Sequence, residues 1–160
     1  MKCSALICTL AGLAFVTGSA TAETMAEQVS FTEYGEIEQS LSGTPGDPAE
    51  GRVVMSTRGL GNCVACHAVT DMEDVPFHGE VGPSLDGAGE RWSEAQLRGI
   101  VANAKMTFEG SIMPAFYKKS GYIRPGNAYT GKAAAPEQLS TLLTAQQVED
   151  VVAYLLTLTE

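Results

Sequence analysis

The residues best suited to chemistry lie in one short stretch, Cys63-Val64-Ala65-Cys66-His67. Two thiols three residues apart fall on one face of a helical turn, so both can add to the vinyl groups of a single porphyrin. The imidazole that follows is then held beneath the iron, and an imidazole nitrogen suits haem iron in both oxidation states. C-x-x-C-H is the attachment pattern of a c-type haem. A redox dithiol also uses C-x-x-C, but it opens a helix after a strand within a βαβ unit, and no such pattern surrounds residue 63. A closed zinc site needs two more Cys or His ligands at similar spacing, and His78 is the one histidine outside the motif.

A haem so attached has a sixth position to fill. A methionine there favours ferrous iron and raises the potential relative to bis-histidine ligation. Beyond the first segment the methionines are Met25, Met55, Met72, Met106 and Met113. Met25 precedes any regular element, and Met55 lies before the haem motif. Met72 follows His67 by five residues, a span of about 3.5 Å per residue that hardly rounds a porphyrin edge. Met106 ends a helical stripe. Met113 lies in Ser111-Ile112-Met113-Pro114-Ala115-Phe116, where the proline forces its neighbour into an extended backbone. An extended, rigid segment suits a side chain that must point at iron, so Met113 is the favoured ligand, with His78 and Met106 as competitors. On the other side, the second ring nitrogen of a proximal histidine needs an acceptor. The Pro83 carbonyl of Gly82-Pro83-Ser84-Leu85 is well placed to supply it.

The elements that position these groups are helical. Asp47-Pro48-Ala49-Glu50 is a strong helix start. That helix is expected to reach about Thr57, with Val53 and Val54 facing the core. Gly51 inside it costs about 1 kcal/mol against alanine, which a close helix crossing explains. Asp71 to Gly89 reads as loop. Ser93 and Gln96 form a capping-box pair ahead of a Leu97, Ile100, Val101, Ala104 stripe, and Trp92 just before it reads as a core aromatic. Phe108, Phe116, Tyr117, Tyr122 and Tyr129 cluster with Lys118, Lys119 and Arg124 in a loop that is either a partner surface or a lid. Gly131 to Pro136 reads as a flexible linker. Thr144 and Gln147 start a closing helix with a Val148, Val151, Val152, Leu155, Leu156 stripe, a fitting partner for Gly51.

Length and charge set the frame. The 160 residues suffice for one domain with a modest core. Lys2, the apolar run from Ala5 to Val16 and Ala20-Thr21-Ala22 read as a secretory signal, residues 1–22, cleaved before Glu23. The run is too short to span a bilayer, and no later segment is apolar enough to do so. Cleavage removes Cys3 and Cys8, leaving Cys63 and Cys66, so covalent haem takes the stapling role of a disulfide. The expected location is the periplasm. Loss of Lys2 takes the formal charge of −9 to −10. Residues 23–46 form an acidic N-terminal arm, with Ile37 and Leu41 as anchors laid on the surface or on a partner, and 47–160 form the cytochrome domain. Nothing in the charge pattern suggests a nucleic-acid partner, which would need a basic face.

The order of these features resembles the class I cytochrome c family: an all-α domain around one covalent haem, with terminal helices crossing and an N-terminal extension. Ser40 to Pro48, Gly61 to His67, Gly82 to Gly87 and Ile112 to Phe116 are further similar to the SoxX family, the monohaem subunits of SoxAX complexes of sulfur-oxidising bacteria. That resemblance covers most of residues 37–160. It implies a chain whose haem is held by Cys63 and Cys66 and ligated by His67 and Met113. It also implies a SoxA-like dihaem or monohaem partner bearing the bond-forming site, a SoxYZ-like carrier, and a small cytochrome c as electron acceptor. The activity implied for the heterodimer is an L-cysteine S-thiosulfotransferase, which couples thiosulfate oxidatively to a carrier cysteine. With both axial positions filled this haem moves electrons and has no open site for a substrate. A free-standing monohaem shuttle is the second reading, and a haem sensor with a displaceable Met113 is the third.

Overall fold

The computed structural model describes residues 22–127 and 130–159. The proposed signal, with Cys3 and Cys8, and Tyr129 of the aromatic loop therefore lie outside the described residues, save Ala22. Four α-helices are present among them: α1 Pro48–Ser56, α2 Ala88–Arg91, α3 Glu94–Asn103 and α4 Ala145–Thr157. Short 3-10 turns join them, and the only β pairing described is an isolated bridge between Gly126 and Ala133. None of the described helices is long and apolar enough to cross a membrane.

Each main helix begins where its cap dictates. Asp47 accepts from Ala49 N at 2.8 Å, with Pro48 at the first helical position. Ser93 with Gln96, and Thr144 with Gln147, form complete capping boxes. The first and last helices then cross at a glycine. A Cβ on Gly51 would lie 2.0 Å from the Asp150 carbonyl oxygen and 2.9 Å from Tyr154 Cβ. Only a residue without a side chain lets the two backbones approach so closely. Asp47 N also donates to Asp150 Oδ1 at 2.9 Å, tying the start of α1 to α4.

The core lies between α1, α3 and α4. Val54, Met55, Leu97, Val101, Val148, Val151, Val152 and Leu155 are buried there. One expected side of α1 is corrected: Val53 is 51 % exposed, while Met55 is fully buried. The face that meets α4 passes through Gly51, and at 100° per residue positions 54 and 55 share that face while 53 turns to water. Loop assignments change too. Thr70–Met72 forms a 3-10 turn and Ala88–Arg91 is helical, so 71–89 is not all loop. Gly131 to Pro136 is no slack linker, since Asn127 N donates to Lys132 O at 2.8 Å and Ala134 N to Pro125 O at 2.9 Å.

The acidic segment before α1 is laid on the domain. Ile37 and Leu41 are buried, and Ile37 N donates to Ala95 O at 3.0 Å. Tyr117 sends its hydroxyl to the Thr24 carbonyl at 2.7 Å. That buried, acid-flanked phenol is pushed up to about 12 by loss of water and by Glu23.

Candidate haem site

Asn62 leads into the attachment turn in the left-handed conformation (φ 47°, ψ 40°), which asparagine adopts more readily than most residues. Cys63–Ala65 then forms a 3-10 turn. Cys66 N and His67 N both donate to the Cys63 carbonyl at 3.0 Å. The two sulfurs are not joined to each other; Cys66 is exposed and Cys63 partly covered. Gly61 lies against Cys63, where a Cβ would come within 3.3 Å of the sulfur. Removal from water pushes the Cys63 thiol up to about 12. Such a thiol is protonated at neutral pH and a poor nucleophile, unlike the attacking thiol of a dithiol oxidoreductase. A thioether is uncharged in any case, so the same surroundings suit one well.

His67 is oriented from two directions. Its Nδ1 lies 2.7 Å from the Pro83 carbonyl oxygen, the acceptor expected from the sequence. The carbonyl can only accept, so Nδ1 carries the proton and Nε2 keeps its lone pair for a metal. Gly82 packs on the ring: a Cβ there would lie 2.3 Å from Cε1 and 2.6 Å from Nδ1. The loop is fastened along the turn by Gly79 N to Val64 O and Gly82 N to Cys66 O, both 2.8 Å, and by Leu85 N to Ala68 O at 3.0 Å. Asp86 closes it by accepting from Thr70 N and Oγ1 at 2.7 and 2.8 Å. Those bonds, helped by Arg91, hold its carboxyl below the usual carboxylate range.

The sixth-ligand candidates separate by surroundings. Met55 and Met72 are fully buried core residues, while Met25 and Met106 are exposed. Met113 is partly buried and packs against the core. Its carbonyl accepts from Lys105 Nζ at 2.6 Å and its N–H donates to Ser111 Oγ at 3.3 Å. His78 has its Nδ1 engaged by Val69 N at 3.2 Å, and its buried Nε2 has no partner among the described residues. Lys105 and Gly82 were not singled out from the sequence. A lone lysine near a helix end carries no signal for a carbonyl eight residues away, but a glycine directly before the acceptor proline was a readable hint. The aromatic loop divides: Phe116 and Tyr117 are core, whereas Phe108 and Tyr122 are exposed.

Two unjoined thiols on one turn, an imidazole with Nε2 free for a metal and a glycine cradle against its ring fit a covalently attached haem. The family model for cytochrome c matches residues 48–159. The chain belongs to the cytochrome c family. Within it the likeness is to the SoxX type: a chain from the crystal structure of SoxXA from P. pantotrophus is 58 % identical, covering 87 % of this chain and 100 % of that one, with a TM-score of 0.81. No curated protein matches the sequence. The fold is thus that of a class I cytochrome c, and its cofactor is a single covalently bound haem c. When bound, that group supplies a one-electron couple.

Proposed function

We propose that this chain is the electron-transfer subunit of a periplasmic SoxAX-type complex. The observation that carries the reading is the 58 % identity to a SoxXA chain over that chain's whole length. On this reading the complex is an L-cysteine S-thiosulfotransferase, joining thiosulfate to a cysteine of a SoxYZ-like carrier. That S–S bond formation is an oxidation, and the electrons leave through this chain to a small cytochrome c. The bond-forming site belongs to the SoxA-like partner. Here Cys63 and Cys66 hold the porphyrin, and His67 and Met113 ligate the iron. Residues 1–22 are removed on export, and residues 23–46 form an arm on the 47–160 domain.

What the residues contribute is orientation. Pro83 and Gly82 fix the His67 ring, and Lys105 and Ser111 fix the backbone on either side of Met113. Rigid ligands reorganise little when the charge on a site changes by one, which suits repeated one-electron exchange.

The test is purification of tagged mature protein from its native periplasm. A larger c-type cytochrome bound one-to-one, with haem reduction on adding thiosulfate and carrier, is the expected result. A lone monohaem protein that thiosulfate and carrier leave oxidised would return it to the free-standing shuttle.

A further inference from the structure

Phe77 has a backbone conformation that its residue type resists. Its φ is +68°, in the left-handed region where a bulky side chain is an outlier. The side chain is nevertheless 87 % exposed, and Val81, four residues on, is 66 % exposed. Neither packs into the core, so the turn holds an aromatic ring out into water with no gain in folding. Gly79 between them and Gly82 just after them are hydrogen-bonded to the attachment turn, Gly79 N to Val64 O and Gly82 N to Cys66 O, both at 2.8 Å. The apolar pair therefore stands beside the Cys63–His67 attachment turn, which would hold the haem.

The charges that this segment itself supplies are of one sign. Residues 69–82 hold Asp71, Glu73, Asp74 and Glu80 and no lysine or arginine. Asp74 pairs with Arg52 and Asp71 accepts from the Tyr154 hydroxyl. Glu73 and Glu80 are exposed and form no ion pair among the described residues. The other exposed apolar loop, around Ile112 and Ile123, carries Lys105, Lys118, Lys119 and Arg124 against one acid, Glu109. A partner rimmed with positive charge is drawn to the first surface and repelled by the second.

We propose that the Phe77–Val81 turn, with Glu73 and Glu80, is the docking point for a one-electron acceptor protein whose contact face is apolar at the centre and rich in lysine or arginine around it. Two side chains bury far less area than a permanent interface needs, so the contact is a transient one. One electron leaves the reduced haem of this protein and one arrives on the oxidised haem of the acceptor; no bond or proton moves. The inference rests on the electron-transfer reading above, and names the face through which it operates.

The test uses the reduced, haem-loaded protein and two oxidants: oxidised mitochondrial cytochrome c, a lysine-rimmed haem protein, and ferricyanide, a small anion that needs no docking face. Stopped-flow second-order rates with cytochrome c should fall as salt rises. Phe77→Gly should lower the low-salt rate about tenfold, and glycine is at ease at this φ, so the fold is retained. Glu73→Lys with Glu80→Lys should lower it about tenfold and flatten its salt dependence. The visible spectrum should not change in either variant. The ferricyanide rate should be unchanged in Phe77→Gly and unchanged or raised in the double lysine variant, whose added positive charge attracts the anion. Unchanged cytochrome c rates in both variants would overturn the proposal. So would release of a stably bound partner subunit by Phe77→Gly, because the turn would then be a permanent interface. Failure of the wild type to reduce even ferricyanide would instead strike at the electron-transfer reading itself.

Discussion

Arg98 Nε lies 2.9 Å from Glu149 Oε1 between α3 and α4, with 3 % and 4 % of the two side chains exposed. The same carboxylate oxygen accepts from Leu41 N at 2.6 Å, and Arg98 Nη1 donates to the Ile37 carbonyl at 2.9 Å. Arg98 also meets Glu94 one helical turn away. The buried pair is thus the fastening that holds residues 37–41 across the two helices.

Glu149→Gln should therefore loosen the segment before α1. Removing one partner of a buried pair leaves the other charge poorly compensated, at a cost of about 3 kcal/mol or more. Denaturant unfolding should show that loss, and limited proteolysis should cut between residues 23 and 46 sooner than in the wild type. Equal stability and an equally resistant segment would mean that Ile37 and Leu41 hold by burial alone.

Gly51→Ala should destabilise although alanine is the better helix former. The added methyl would need space 2.0 Å from the Asp150 carbonyl oxygen, so α1 and α4 must part, at about 1–3 kcal/mol. Gly59 has nothing within 4 Å of its Cβ position, and Gly59→Ala should stay within about 0.5 kcal/mol of wild type. Thermal unfolding of the pair separates crowding from backbone entropy.

Asp86 gives a pH dependence of fixed sign. Its hydrogen bonds from Thr70 hold the folded-state carboxyl below its ordinary value of 3.8. The unfolded chain thus binds that proton more tightly, so the contribution is complete above 3.8 and fades as pH falls through the lowered value. Asp86→Asn should unfold at a lower temperature than wild type at neutral pH. The gap should close once the pH has fallen below the lowered value. A gap that persists in acid while both proteins remain folded at the start of the melt would assign the effect to hydrogen-bond geometry and not to charge.

The readable parts of the sequence were those in which the signal is local. Asp47-Pro48, Ser93 with Gln96 and Thr144 with Gln147 each announce a helix start by side-chain chemistry within four residues, and all three starts are where the caps place them. Gly51 showed its crossing because a glycine inside a good helix needs a reason. Pro83 was recoverable because a haem histidine must give its other nitrogen to some acceptor. What stayed hidden depends on residues distant in the chain. Nothing near Glu149 indicates that it meets Arg98, or that Lys105 bonds the Met113 carbonyl. Val53 and Met55 could not be ranked by hydrophobicity; the angle at which α1 meets α4 settled which one faces inward.

On the ligation proposed above, Gly82 would act on the iron through His67, and Met113 from the other side. A Cβ on residue 82 would lie 2.3 Å from His67 Cε1, so Gly82→Ala must push the ring and stretch its 2.7 Å bond to Pro83. A histidine that loses this acceptor becomes a weaker donor to ferric iron. The variant should carry less haem, and what it carries should have a raised reduction potential. It should still exclude carbon monoxide in the ferrous state, because Met113, the ligand proposed for the other side, is untouched. Met113→Ala should do the reverse: keep haem attached through Cys63 and Cys66, lower the potential through loss of the thioether, and bind carbon monoxide when reduced. Optical redox titration and carbon monoxide difference spectra on both variants read the two axial sides separately. Exclusion of carbon monoxide by Met113→Ala would pass the ligand role to His78 or Met106, and a wild-type potential and haem yield in Gly82→Ala would show that the ring tolerates the methyl.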